Sequence, residues 1–179
     1  MEESKRMPVY LNIGSGQRPF KPPFFNTDIQ NKWKEPTEKA GCWWIDNLCA
    51  YKGWAAPVQM IVLHHVLEHF GCGESDKLID DCYELLAPGG SLIITVPDMK
   101  ELAKGWLVGR VTDQIYFTNV YGAYMGDEAD RHKWGFTPDS LNTHLRKWAW
   151  ADVKRFDFRP IEGADIANDW YICGMEAIK

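Results

Sequence analysis

Two predominantly apolar runs, at residues 58–63 (Gln59 the one polar residue) and 91–96 (Ser91 and Thr95 polar), flank one helical pattern, and this constrains the fold more than any other feature. A strand apolar at nearly every position is buried on both faces, which is the situation of a parallel sheet covered from both sides. Between the runs, Leu78, Ile79, Cys82, Leu85 and Leu86 fall on one helical stripe, with Ser75 as the expected N-cap. Pro88-Gly89-Gly90 is expected to end that helix in a turn before the second run. In an open α/β sheet the ligand site lies beyond the carboxyl ends of the strands. Two such ends carry suitable residues: Gly14 and Gly16 follow a short strand at 9–13, and His64, His65 and Glu68 follow the run at 58–63.

The other elements are shorter. Residues 17–25 contain three prolines, so no helix of ordinary length fits after the glycines. Residues 26–29 read as a second strand ending near Asp28, and residues 42–45 as a third, followed by Asp46. Residues 99–136 are rich in aromatics and glycine with weak periodicity, which reads as a lid-like insertion in a single domain spanning 1–179. A late helix should start at Thr137 with Pro138 in its first position and Leu141, Leu145 and Trp148 on one face. Residues 153–158 and 170–178 alternate as strands, and the eleven-residue loop between them allows an antiparallel pair.

Bulk properties exclude several classes. A formal charge of -5, with Lys and Arg dispersed, argues against a general nucleic-acid binder. The five cysteines form no CxxC pair, which argues against a disulfide framework or zinc knuckle and fits a reducing, cytoplasmic setting. No apolar run approaches membrane-spanning length, and the first residues lack the apolar centre of a secretion signal.

The glycine turn discriminates between ligands. A pyrophosphate site needs GxGxxG opening a helix, because the helix N-terminus supplies the donors. Here Pro19 holds the third glycine position, and no GxxxxGK[ST] loop occurs. S-adenosylmethionine carries no phosphate. It requires close backbone approach, which Gly14 and Gly16 allow, and an acid at the second strand end for its ribose, where Asp28 lies. Asp46 is placed to reach the adenine side.

Residues 10–98 resemble class I S-adenosylmethionine-dependent methyltransferases, and among them the small group related to type 11 domains. The resemblance rests on Leu11-Asn12-Ile13-Gly14-Ser15-Gly16, Asn26-Thr27-Asp28-Ile29, and His65-Val66-Leu67-Glu68-His69-Phe70. Leu86-Ala87-Pro88-Gly89-Gly90, Val96-Pro97-Asp98 and His132-Lys133-Trp134-Gly135-Phe136-Thr137 complete it, all in the family's order. It implies a Rossmann-like, seven-stranded, mostly parallel sheet of order 3-2-1-4-5-7-6 with an antiparallel last strand. It also implies that S-adenosylmethionine contacts Asn12, Gly14, Ser15, Gly16, Asp28, Asp46, His64 and His65. Two departures stand out: Asn12 replaces an acid frequent in the first motif, and the first helix is expected to be shortened or absent.

The activity so implied moves a methyl group to an oxygen or nitrogen of a small-molecule or glycan-like acceptor. For a general base, His132 is the first choice, with Asp98 as the alternative. Arg131 and Lys133 suggest an anionic acceptor, and Tyr121, Tyr124 and Trp134 could shape its pocket. His65-Val66-Leu67-Glu68-His69 also matches the HxxEH pattern of zinc hydrolases. It starts at a strand end and the sequence places no third ligand, so no metal is expected. Pro22-Pro23-Phe24 is led by Lys21, not by the Asp, Asn or Ser that opens this motif in amino-methylating DNA enzymes, and it lies before the second strand instead of after the fourth. A binding subunit that holds the cofactor without catalysis is the other class of reading.

Overall fold

The computed structural model describes residues 9–46, 57–123 and 127–179. Seven strands form one sheet: β1 (Val9–Ile13), β2 (Phe24–Thr27), β3 (Trp43–Trp44), β4 (Val58–His64), β5 (Leu86–Pro97), β6 (Asp152–Arg155) and β7 (Ile172–Ile178). Their order is β3-β2-β1-β4-β5-β7-β6. Strands β1 to β5 pair in parallel, and β7 runs antiparallel to both β5 and β6. The expected topology is thus observed, with β2 two residues earlier than the sequence suggested, so that Asp28 follows the strand.

The helices are α1 (Lys34–Lys39), α2 (Glu74–Leu85), α3 (Met99–Leu107), α4 (Asp113–Tyr121) and α5 (Pro138–Leu145). No helix joins β1 to β2, as the prolines require. Instead the Asn26 amide binds the Phe20 backbone at both ends, and Asn12 Nδ2 donates to Asn26 Oδ1 at 2.8 Å. Helix α5 starts as expected: Thr137 and Ser140 form a reciprocal capping box with Pro138 at the first turn.

Two sequence expectations need correction. Ser75 is not the N-cap of α2; Gly73 is, and Ser75 is buried with its hydroxyl 3.2 Å from His144 Nε2. Pro88-Gly89-Gly90 does not separate α2 from its strand. Leu86 already pairs with Val58, and the Pro-Gly-Gly segment bulges before pairing resumes at Ser91 opposite Met60. The carbonyls at the end of α2 are capped from afar, by the Lys179 ammonium on Tyr83 and Leu86. Within the aromatic segment after β5, Asp98 and Thr112 cap α3 and α4.

The alternation along β4 and β5 divides the core. Ile61, Leu63, Leu92, Ile94 and Val96 face α2 and α5, packing on Ile79, Cys82, Leu141 and Leu145. Val62 and Ile93 face the other way, onto Phe20, Phe24 and Phe156 with Phe158, Ile161 and Ile166 beside them. This second cluster contains no helical residue, so connecting segments clad that face of the sheet. No helix of the described residues is long and apolar enough to cross a membrane.

Candidate functional site

The ends of β1 and β4 meet beneath one cleft of about 450 Å³, within the range of small-ligand sites. Its floor is the turn after β1. Gly14 sits at φ 72° and Gly16 at φ 46°, both in the left-handed region. A Cβ on Gly14 would come within 2.6 Å of the Val66 side chain, so this position admits no side chain without a shift. The turn is fixed by Gly14 and Ser15 N–H groups donating to Thr27 O at 2.8 and 3.1 Å. The Ser15 hydroxyl is buried there without a hydrogen-bond partner.

Asn12, Gly14, Ser15, Gly16, His64 and His65 all line the cleft. Asp28 is not among the lining residues but is bonded to one of them: Oδ2 accepts from Gly16 N–H at 2.9 Å, and Oδ1 from Gln30 N–H at 2.8 Å. The carboxylate therefore ties the glycine turn to the end of β2. Asp46 lies apart from the lining, exposed, with Lys34 Nζ at 2.7 Å and Trp44 Nε1 at 3.2 Å.

The two histidines at the end of β4 differ sharply. His64 is buried, with Nδ1 2.6 Å from Thr95 Oγ1 and Nε2 accepting from Ala167 N–H at 3.4 Å. Burial, assisted by neighbouring His65, pushes its pKa down to about 3, so the ring is neutral. His65 has φ 56°, a conformation that strains a non-glycine residue. Its Nδ1 lies 3.0 Å from Oε1 of Glu68, in the 3₁₀ turn Leu67–His69. Burial opposes ionisation of Glu68, but the hydrogen bond and charge of His65 outweigh it and hold the carboxyl below its usual range.

The expected catalytic residues do not reach the cleft lining. Asp98 is buried as the N-cap of α3, accepting from Lys100 and Glu101 N–H groups at 3.0 and 3.3 Å. His132 turns Nδ1 to Asn119 O at 2.7 Å and sets its ring edge against His69. Arg131 and Lys133 are ion-paired, with Glu128 at 3.0 Å and Glu74 at 3.7 Å. Tyr121 and Trp134 are exposed outside the lining, and Tyr124 lies outside the described residues. Sequence reasoning missed Arg18, Asn119, Asp169 and Tyr171, which complete the walls. Asn119 comes from α4, so the aromatic segment does border the cleft.

No protein-family model matches the chain, and no curated protein does. Solved structures do match. A S-adenosylmethionine-dependent methyltransferase from Archaeoglobus fulgidus superposes with TM-score 0.61 at 15% identity, over 96% of this chain and 86% of that one. The plantazolicin methyltransferase BamL, solved with a desmethylplantazolicin analogue and S-adenosylhomocysteine, gives 0.61 at 12%, over 96% and 76%. An O-methyltransferase family protein from Burkholderia thailandensis gives 0.57 at 12%. There the match covers 96% of this chain but only 51% of that protein. This chain has the Rossmann-like fold of the S-adenosylmethionine-dependent methyltransferases.

Proposed function

We propose that the chain binds S-adenosylmethionine in the cleft and transfers its methyl group to an oxygen or nitrogen of a small-molecule or glycan-like acceptor. The observation that carries this reading is the turn Gly14-Ser15-Gly16, with close backbone approach and an unpartnered buried hydroxyl beside the cleft. The turn lies beyond the carboxyl ends of the first and fourth strands, where an open α/β sheet seats its ligand. Asp28, beside Gly16, is positioned for the ribose hydroxyls, and its oxygens retain lone pairs after accepting the two backbone donors.

In the reaction the acceptor lone pair displaces the sulfonium in line. The methyl–sulfur bond breaks as the methyl–acceptor bond forms, neutral S-adenosylhomocysteine leaves, and the acceptor's proton goes to a base. The geometry favours His65 over His132 or Asp98 as that base. It borders the cleft, and the buried Glu68 carboxylate holds its Nδ1–H, which leaves Nε2 to accept a proton. Arg18 offers a cationic wall for an anionic acceptor.

Titration calorimetry with S-adenosylmethionine and S-adenosylhomocysteine tests the reading. Wild type should bind at micromolar concentrations, and Asp28→Ala should bind about tenfold more weakly. His65→Ala should keep that binding and lose methyl transfer to any acceptor found. Absence of binding by the wild type would remove the proposal.

The non-catalytic subunit reading has one observation in its favour. Leu107, Val108, Ile115, Phe117 and Tyr121 are exposed on and beside α3 and α4. If that face seats a partner enzyme, cofactor binding persists while no acceptor is methylated by this chain alone.

A further inference from the structure

Glu68 is only 2% exposed. One of its oxygens is accounted for by His65, while the other, Oε2, is buried with no hydrogen-bond partner. Buried carboxylate oxygens are ordinarily satisfied, since an unpaired one carries the full desolvation penalty. What surrounds this one is informative. Glu68, His69 and His132 each offer a ligand atom, and the three atoms lie within 4.8 Å of one another.

Both imidazoles are held in the manner of metal ligands. His69 Nδ1 is 3.1 Å from Arg131 O, and His132 Nδ1 is 2.7 Å from Asn119 O. A carbonyl oxygen only accepts, so Nδ1 carries the hydrogen in both rings. Nε2 is then left with its lone pair, the tautomer that a carbonyl partner fixes in metal-binding histidines. The rings meet edge to face with centroids 4.7 Å apart. The backbone is tied as well. Glu68 O accepts from Lys133 and Trp134 N–H groups at 2.8 and 3.1 Å, and His132 N–H donates to Tyr121 O at 3.1 Å. The turn that carries Glu68 and His69 is thereby fastened to the segment that carries His132.

From this geometry we infer that Glu68, His69 and His132 form a binding site for a divalent transition-metal ion of the zinc class. Two imidazoles and one carboxylate match neither the all-oxygen sets of calcium and magnesium nor the thiolate sets of structural zinc. They leave at least one coordination position for water or another oxygen. Zinc holds such donors at about 2.0–2.2 Å, so the side chains draw together as the ion enters. Glu68 becomes a shared carboxylate: Oε1 keeps His65 beside the cleft, and Oε2 takes the ion. The HxxEH motif is thus used in an unexpected way, with Glu68 and His69 as ligands and His65 outside the set.

The test is a zinc titration of chelator-treated protein against a chromophoric competitor, comparing wild type with His69→Gln and His132→Gln. Wild type should bind one equivalent, and each substitution should weaken binding about tenfold or more. Both histidines are partly buried and outside the apolar core, and far-UV circular dichroism with a thermal melt of each variant provides a separate check on folding. Cobalt loading should give visible d–d bands without the sulfur charge-transfer band that binding at the exposed Cys72 would produce. Zinc binding unchanged in both variants, a thiolate band, or no bound zinc would overturn the site. Because metal binding is read directly, failure of the methyl-transfer reading leaves this result interpretable, and the converse holds.

Discussion

Gly14 shows how much of the cleft's geometry rests on one missing side chain. Its φ of 72° and the 2.6 Å approach of a Cβ to Val66 Cγ2 are independent obstacles to substitution. The left-handed conformation alone costs a non-glycine residue about 1–2 kcal/mol, and the contact adds a similar amount. Gly14→Ala should lower stability by about 3 kcal/mol, a melting-temperature drop of about 6–12 °C for a chain of this size. Because Val66 is itself a core residue, the contact is isolated by a cycle: Gly14→Ala should cost less in a Val66→Ala background than in wild type. Differential scanning calorimetry of the wild type, both single variants and the double variant separates the contributions, and an equal loss in both backgrounds would show that the contact with Val66 is unimportant. This residue was legible in the sequence, since a strand that runs straight into paired glycines marks a tight turn with close backbone approach. Asp98 is ambiguous in the sequence for an equally local reason: a carboxylate after a strand caps a helix as readily as it serves a site, and here it caps α3.

At the level of elements, the β6–β7 connection shapes the cleft although nothing in its periodicity announces it. Glu176, buried in β7, is gripped by both terminal nitrogens of Arg159, with Lys154 at 3.6 Å. This anchors the start of the loop that later supplies Ala167, Asp169 and Tyr171 to the cleft wall. Arg159→Met leaves a buried carboxylate with one distant cation and should cost about 2–4 kcal/mol. Urea denaturation should show it as a lower midpoint with unchanged slope, and ligand affinity should fall too. Arg159→Lys should recover only part, having no fork to engage both oxygens. Helix α4 was hidden in the sequence for a different reason. None of its residues is buried, so there is no apolar stripe to detect. Its Thr112 cap and the stacking of Trp106 on Tyr116, 4.6 Å apart, hold it instead. Strands β4 and β5, by contrast, were readable because burial on both faces leaves a nearly uninterrupted apolar signature.

Across the whole molecule, neutral buried histidine governs the response to acid. His64 has a pKa of about 3 in the folded chain, and burial also pushes His144 down. Unfolding returns both rings to water, where they take up protons below about pH 6.5. The unfolded state then binds more protons than the folded one, so stability falls as pH drops from about 6.5 toward 3. His64 alone contributes a slope of about 1.4 kcal/mol per pH unit in that window. Denaturant midpoints measured between pH 7.5 and 4.5 should decline accordingly, and His64→Gln should flatten the curve. A parallel decline in that variant would assign the acid sensitivity elsewhere.

The loop-clad second core cluster has a thermodynamic corollary. Phe20 from one connection with Phe24 at the start of β2, and Ile161 and Ile166 from the other connection, shelter Val62 and Ile93 from water. The same two connections present Arg18 and Asp169 to the cleft, and Lys21 N–H joins them by donating to Gly163 O at 2.8 Å. Occupancy of the cleft and integrity of the core on that side are therefore linked equilibria. Whatever ligand fills the cleft also tightens the cladding of the sheet behind it, and loosening that cladding releases the ligand.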